Sequence, residues 1–347
     1  MPELYVTNFN RNFTGVSATA AAVVGMQQDQ FDLRLVGQAL PGCAQPISKR
    51  AACGLARNKP GGRPFAIWHV RRNPEMRTAL WARDVLKLPI KIVFTSAAQR
   101  RHSKYPCWLI SKMDALIATT PEAAEYVENV HAVVPHGVDT ARFRPAENRA
   151  SAWQALGYGG ARGVATVGRV RPEKGTDIFV DTMLQVLPKH PELVALVIGK
   201  AAKEHLGFQQ KLVKKIAAAG LSDRLRFVGE IDPDKIPTLF RALGLLVALP
   251  RYEGYGVTPL EALASGVPFV ASDTGHFKEF SKGGRLGKLV PIGDATLAAR
   301  ALDGWLSDAA KLEHASALAP GFVAQQHGVE REVAGINAVY EGLWQNA

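Results

Sequence analysis

Residues 164–179 read VATVGRVRPEKGTDIF. An apolar, β-branched run ends at Val167-Gly168, two cations follow at Arg169 and Lys174, and a helical pattern starts near Gly175. Strand, tight turn and helix in direct succession form the repeating unit of a parallel sheet covered by helices. The turn also has a chemistry. Free amides at a helix start carry partial positive charge, and fixed cations beside them make an anion site suited to a diphosphate. Arg169 can grip two oxygens with its planar fork, whereas Lys174 acts as a compact point charge. Pro172 stiffens the turn, and Arg171 is expected to face solvent. A charged surface turn without a ligand is the competing reading.

The same rhythm extends in both directions. Before this stretch, strands fit at 3–9, 32–37, 65–70, 91–95, 114–118 and 131–134, with helices at 16–28, 74–87 and 121–128. Residues 41–63 interrupt the alternation and suggest a loop and a short helix over one sheet edge. After a linker-like segment at 144–160, strands fit at 163–168, 193–198, 224–228, 245–249, 268–271 and 287–290. Helices fit at 175–187, 203–219, 233–243, 258–265 and 294–309, and a last one at 329–344. The strands read as nearly continuous apolar runs, the pattern of strands buried on both faces. The expected fold class is therefore α/β, with two doubly wound Rossmann-like parallel-sheet domains facing a deep interdomain cleft. Residues 1–150 form the first, 151–325 the second, and 326–347 a helical segment that packs back toward the first. Ligands are expected beyond the carboxyl ends of the strands.

Totals agree with this division. A length of 347 residues exceeds what one hydrophobic core usually serves. Apolar residues at 47% and charged residues at 21% speak for a folded chain. Cys43, Cys53 and Cys107 form no Cys-x-x-Cys pair. No basic–apolar leader precedes Glu3-Leu4-Tyr5-Val6, and no run of 18 apolar residues exists, so a cytoplasmic location is expected. The net charge of +11 is uneven: residues 1–150 hold 20 Lys/Arg against 11 Asp/Glu, and positions 63–112 hold eleven against two. Such a field suits a phosphate-rich ligand, an anionic lipid surface or nucleic acid.

Residues 250–262, PRYEGYGVTPLEA, follow the strand at 245–249. Glu253 falls in the loop beyond the strand, Gly254 and Gly256 permit sharp turns, and Pro259 suits the first turn of a helix that carries Glu261. A carboxylate accepts from two adjacent hydroxyls, so sugars are its natural neutral ligands. One glutamate can take hydroxyls of a hexose and the other those of a ribose. A hydrolytic carboxylate pair, which needs a separation of roughly 5–10 Å, is the competing reading. In the first half, the strand at 3–9 runs into a loop whose Gly15 permits close approach to a helix start; a plain tight turn explains it equally. The three-glycine dinucleotide fingerprint and the Walker loop are absent.

Gly168-Arg169 with Pro172-Glu173-Lys174-Gly175, EGYGVTPLE at 253–261 and VPHGVDTARFRP at 134–145 together resemble the retaining glycosyltransferases of family 4. That resemblance covers nearly the whole chain and implies the two-domain GT-B fold. It implies that Arg169 and Lys174 bind the donor diphosphate, that Glu253 contacts the transferred sugar, and that Glu261 contacts the ribose. Gly15, Gly168, Gly254, Tyr255, Gly256 and Val257 belong to the implied donor-binding set. The sequence departs from the pattern at Tyr255, where phenylalanine is usual, at Thr14-Gly15 in place of Gly-Gly, at His136 in place of asparagine, and at His276 in place of glycine. Within the family the pattern is similar to bacterial lipopolysaccharide-core mannosyltransferases. This implies GDP-mannose as donor, an anionic lipid-linked saccharide as acceptor, retention of anomeric configuration, and no tightly bound cofactor.

His69 ends the strand at 65–70 and is expected at the ligand edge, as a catalytic or positioning group or as a core histidine. Arg71 and Arg72 follow it and are expected to hold acceptor carboxylate or phosphate. His136 is expected to stabilise its turn. No His/Asp/Glu/Cys set has metal-ligand spacing, so no metal is expected. The basic cluster suggests reversible contact with an anionic membrane surface. A nucleic-acid binder is disfavoured, because no zinc-finger or RNP signal is present and aromatics do not alternate with the cations. A nucleotide-sugar epimerase or hydrolase of the same fold, and a chain-elongating glucan transferase, are the remaining rivals.

Overall fold

A computed structural model describes residues 1–346. It contains two six-stranded, all-parallel sheets. The chain divides into two compact units: Met1–Asp139 together with the stretch from His327 onward, and Thr140–Gln326.

The first unit runs β1 (Leu4–Asn8), α1 (Gly15–Gln27), β2 (Leu33–Gly37), α2 (Lys49–Leu55), β3 (Ala66–Val70), α3 (Asn73–Leu80), β4 (Ile90–Ser96), α4 (Lys104–Ile110), β5 (Ala115–Ala118), α5 (Pro121–Ala124) and β6 (Ala132–Val133). Its strand order is β2-β1-β3-β4-β5-β6. Every residue of β1 and β3 is buried, and alternate side chains serve opposite faces. Leu4, Val6 and Ile67 pack with Val23 and Val24 of α1. Tyr5, Trp68 and Val70 pack with Met76 and Ala79 of α3 and Leu109 of α4. Helices on both faces explain why these strands carry no polar alternation.

The second unit runs α6 (Arg149–Ala155), β7 (Arg162–Val167), α7 (Thr176–Val186), β8 (Leu193–Ile198), α8 (Leu206–Ala218), β9 (Leu225–Gly229), α9 (Ile236–Ala242), β10 (Leu245–Ala248), α10 (Thr258–Ala264), β11 (Phe269–Ser272), α11 (Phe277–Ser281), β12 (Gly287–Val290), α12 (Ala295–Leu306) and α13 (Ala309–His327). Its strand order is β12-β11-β10-β7-β8-β9.

The last helix, α14 (Val329–Gln345), returns to the first unit. Val329, Val333, Ile336, Tyr340 and Trp344 recur every three or four positions and form one apolar stripe. That stripe joins the core of Leu4, Val6 and Ile67. Trp344 donates its indole N–H to the Phe65 carbonyl at 3.0 Å. Arg63 forks onto Glu341 at 2.6 and 2.7 Å while lying 4.0 Å over the Trp344 ring. Each large ring buried here contributes about 1.5–3 kcal/mol, so the helix is integral to the unit.

Several expected elements change. The helix expected over 74–87 stops as α3 at Leu80 and continues as a π-helical turn, Trp81–Val85, ended by Lys87 in the left-handed region at φ 57°. The helix expected over 121–128 is the single turn of α5. The helix expected over 294–309 is α12, capped by Asp294 and finished at Leu306, after which the unforeseen α13 begins. Helices α4, α6 and α11 lie in segments expected to be irregular; with seven, seven and five residues they are too short to display a helical period.

Candidate active site

In the second sheet the order reverses between β10 and β7. The connections leaving these two strands diverge to opposite sides, which opens a crevice beyond their carboxyl ends. A pocket lies there, lined by Thr166, Gly168, Arg169, Lys174, Glu253 and Phe277, with Gly256 also on its wall. The structure thus brings Gly168, Arg169 and Lys174, from one end of the unit's sequence, to Glu253 and Gly256, some eighty positions later.

Backbone geometry explains how. Pro172–Lys174 forms one 3-10 turn, and Gly175 adopts φ 67° before α7 begins. A Cβ on Gly175 would stand 1.7 Å from the Leu249 carbonyl oxygen, so only glycine lets α7 start this close to the end of β10. Arg251 then fastens the two loops. Its fork meets the Asp177 carboxylate at 2.9 and 2.7 Å, its guanidinium also donates to the Pro172 carbonyl, and its amide donates to the Glu173 carbonyl at 2.9 Å. With these loops joined, Lys174 Nζ lies 2.6 Å from Glu253 Oε2. The other Glu253 oxygen accepts from the Gly254 amide at 3.1 Å, and the Glu253 amide donates to Thr274 Oγ1 at 3.3 Å. Gly256, at φ 86°, has no room for a side chain, because a Cβ would fall 2.2 Å from the Phe277 ring.

Arg169 is exposed at the pocket, and its guanidinium has no hydrogen bond or ion pair among the described residues. Partial burial, then Arg171 beside it, lowers its pKa, but a guanidinium stays charged. Tyr255 is buried and does not line the pocket. Its ring stacks on His276 at 5.3 Å and meets Phe280 edge-on at 5.6 Å, so the aromatic position anchors the loop from beneath. The two departures noted at Tyr255 and His276 are therefore partners of one another. Gly254 and Val257 also stand off the pocket wall. Glu261 sits in the first turn of α10, half-buried, and desolvation pushes its carboxyl up to about 7 against the pull of Arg142.

In the first unit, Gly15 begins α1 and is exposed, with open space where a side chain would go. His69 is not at an accessible ligand edge: it is fully buried, with Nδ1 bonded to Tyr340 Oη and Nε2 to Thr95 Oγ1 at 2.7 Å. Burial, with Arg71 beside it, holds its imidazole well below the ordinary histidine pKa. It is neutral and tied at both nitrogens, which makes it a link between β3, β4 and α14. Arg72 is likewise committed, to Asn8, Thr14, Ser17 and Glu75 at 3.0–3.3 Å. Of the two arginines expected to hold an acceptor, Arg72 braces the β1–α1 loop, whereas Arg71 is buried, its amide held by Glu75 and its Nη1 without a hydrogen-bond partner among the described residues. His136 bonds through Nδ1 to Glu332 at 2.7 Å, and the adjoining Gly137 amide bonds to the same carboxylate at 2.8 Å.

The sequence reading missed Arg251, Thr274 and Phe277. Arg251 follows Pro250 directly, but its partner Asp177 lies 74 positions earlier, and nothing along the sequence pairs them. Among the described residues no group of three His, Cys, Asp or Glu side chains could hold a metal, and no helix is long and apolar enough to cross a membrane.

Two Rossmann-type units, one with a cation-and-carboxylate pocket at its switch point, match the GT-B fold. The chain belongs to the glycosyl transferases group 1, whose family model matches residues 152–320, and it is a glycosyltransferase. It is 41% identical over 345 residues, 98% of this chain and 97% of the relative, to the lipopolysaccharide core biosynthesis mannosyltransferase LpsB of Rhizobium meliloti (strain 1021). It is 40% identical over 342 residues, 98% of this chain and 96% of the relative, to the enzyme of the same description, LpcC, of Rhizobium leguminosarum bv. viciae. Among solved structures, HepE of Anabaena, crystallised with UDP and glucose, shares the fold at a TM-score of 0.84 and 16% identity, over 99% of this chain and 100% of that one.

Proposed function

We propose that this glycosyltransferase moves mannose from GDP-mannose, with retention of anomeric configuration, onto an anionic, lipid-linked saccharide of the lipopolysaccharide core. The observation that carries the reading is the contact of Lys174 with Glu253 in a pocket that Arg169 also lines. In a nucleotide sugar the diphosphate and the transferred hexose are covalent neighbours. A cation for one and a carboxylate for the other must then be neighbours too. In this reading Arg169, Lys174 and the amides at the start of α7 take the diphosphate and stabilise it as it leaves. Glu253 takes hexose hydroxyls, and Glu261 takes the 2′- and 3′-hydroxyls of the ribose. Gly168 and Gly256 keep the walls thin. The leaving phosphate receives the acceptor proton, so no separate base is required. The mannose and core-acceptor assignments are supported by the two rhizobial relatives, whose identity spans both units.

Reversible contact with an anionic membrane surface is part of the proposal. Of the basic cluster, Arg63, Arg72, Arg83 and Lys91 are neutralised by carboxylates. Arg77, Arg101 and Lys104 remain exposed without such partners, Lys87 and Lys112 are exposed near Asp84, and around them Trp81, Val85, Tyr105 and Trp108 are 49–65% exposed. Helices α3 and α4 pack together, and the Tyr105 and Trp108 rings stack at 6.1 Å. Exposed aromatics among cations suit a headgroup region.

A panel of GDP- and UDP-sugars, offered with core acceptors from truncated strains, tests the donor and acceptor together. The expected product gains one hexose from GDP-mannose alone, and proton coupling at the new linkage reports its configuration. Transfer from a UDP-sugar, an inverted product, or donor consumption without acceptor overturns the corresponding part. Co-sedimentation with phosphatidylglycerol vesicles that weakens with salt is expected, and equal binding to neutral vesicles removes the membrane role.

A further inference from the structure

We infer that the second unit carries a separate site for an anionic amphiphile at the outer edge of its sheet. Edge strand β12, helix α12 and the start of α13 line an open groove of about 370 Å³. This lies within the range of roughly 300–1,000 Å³ typical of small-molecule sites. None of its lining residues belongs to the donor pocket.

The lining has two halves of different chemistry. Leu289, Val290, Ala301 and Trp305 make an apolar floor, with Leu297 at its rim. Lys288, Arg300 and Lys311 supply three cations, and no acidic residue lines the groove. None of the three cationic heads has a hydrogen bond or ion pair to a carboxylate among the described residues, although Lys311 Nζ lies 5.4 Å above the Trp305 ring. Elsewhere the same unit does neutralise surface cations, as at Lys215 with Asp181 and Lys189 with Asp303. The Trp305 side chain is 1% exposed, and its indole N–H is buried without an acceptor. A buried donor without a partner is uncommon in folded proteins and leaves one hydrogen bond to be made. At the mouth, Leu297 is 37% exposed and the adjoining Ile292 50%. A lysine on an edge strand also guards against strand pairing, which accounts for Lys288 alone. It does not account for two further cations from α12 and α13 converging over an apolar floor.

An apolar chain would occupy the floor while a phosphate or carboxylate head meets the three cations. The ligand is thus lipid-like, one chain with one anionic head, and is neither a nucleotide nor a free anion. The site does not depend on the identity of the transferred sugar.

Isothermal titration with dodecyl phosphate below its micelle concentration tests the inference, with dodecyl maltoside and inorganic phosphate as the chain-only and head-only probes. Saturable one-to-one binding of dodecyl phosphate is expected, at least tenfold tighter than either control and weakened by salt. The triple variant Lys288→Ala/Arg300→Ala/Lys311→Ala, altered only at non-core positions, is expected to lose at least tenfold. The variant Ala301→Phe, which fills the floor, is expected to lose binding while its thermal midpoint is unchanged. GDP affinity should be the same in all of them. Equal binding of the maltoside shows a chain site without charge selection and overturns the inference. Equal binding of inorganic phosphate, or retention of dodecyl phosphate affinity in the triple variant, overturns it as well.

Discussion

The two units use the same architecture for different ends at equivalent places. Each sheet has one switch point, between β1 and β3 in the first unit and between β7 and β10 in the second. Each places arginines beyond its strands. In the second unit Arg169 keeps a free guanidinium at a pocket and Arg251 does the fastening, through Asp177. In the first unit two arginines follow β3: Arg72 is committed to Asn8, Thr14, Ser17 and Glu75, and Arg71 is buried, with its Nη1 without a hydrogen-bond partner among the described residues. Glu75, completely buried, gathers that region: one oxygen accepts from the Phe9 amide and Arg72, the other from the Arg71 amide. A switch point supplies divergent loops, but a side chain beyond a strand serves a ligand only where it opens onto a pocket, as Arg169, Lys174 and Glu253 do. Arginine after a strand is therefore an ambiguous sign until its partners are known.

The largest effect is expected where the first unit is braced. Glu75→Ala strands two backbone amides and leaves Arg72 without its buried carboxylate. Breaking a buried pair of this kind costs about 3–5 kcal/mol, to be read by denaturant unfolding. GDP affinity of the folded protein, measured by titration, should change less than about twofold. A variant that unfolds normally but loses GDP would make the first switch point a binding site and remove the contrast.

Next in size is the donor pocket. Lys174→Ala should lower turnover by about 10²–10³-fold, the cost of removing one preorganised charge at a developing anion, and should weaken GDP binding. Its thermal midpoint should stay near that of the parent, because Lys174 and Glu253 are both partly solvent-exposed and such pairs add little stability. Unchanged affinity and turnover would show that the second switch point, too, is only structural.

Much of this contrast was legible in the sequence on one side alone. Gly168, Arg169 and Lys174 read as a site because they lie between a strand and a helix start, and Glu253 because it lies in the loop beyond β10, so local pattern places them at the sheet's carboxyl edge; Gly256 enters through the family resemblance. The same logic puts His69 at an edge and leaves a ligand-facing and a core histidine both open, and the structure shows the buried one. What covers His69 is Tyr340 from α14, 271 positions away, and no local pattern announces that. The fold was legible for the same reason: continuous apolar strands of four to seven residues need only neighbours to be recognised. Short helices such as α4 and α6, and the long α13 with Pro320 inside it, lacked either a full period or an uninterrupted one.

The smallest effect expected concerns Glu261 and is read through pH. Its carboxyl is raised to about 7, so near neutrality it is divided between two forms. Only the ionised form accepts from both ribose hydroxyls without offering a competing donor. If Glu261 holds the ribose, GDP affinity should fall about tenfold between pH 8 and pH 6, following the loss of the carboxylate. Stability should move the opposite way. A folded-state pKa above the unfolded value favours the protonated form, so this contribution is present below the unfolded carboxyl pKa and is lost as pH rises through about 7. Glu261→Gln should flatten both trends, binding GDP with one weak, pH-independent constant and losing the neutral-range slope in stability. Titration of both proteins with GDP at pH 6, 7 and 8 separates this from a general acid effect. A wild-type affinity that is flat over that range, or a Gln variant that keeps the slope, would detach Glu261, which does not itself line the pocket, from the ribose and leave the donor reading on Arg169, Lys174 and Glu253.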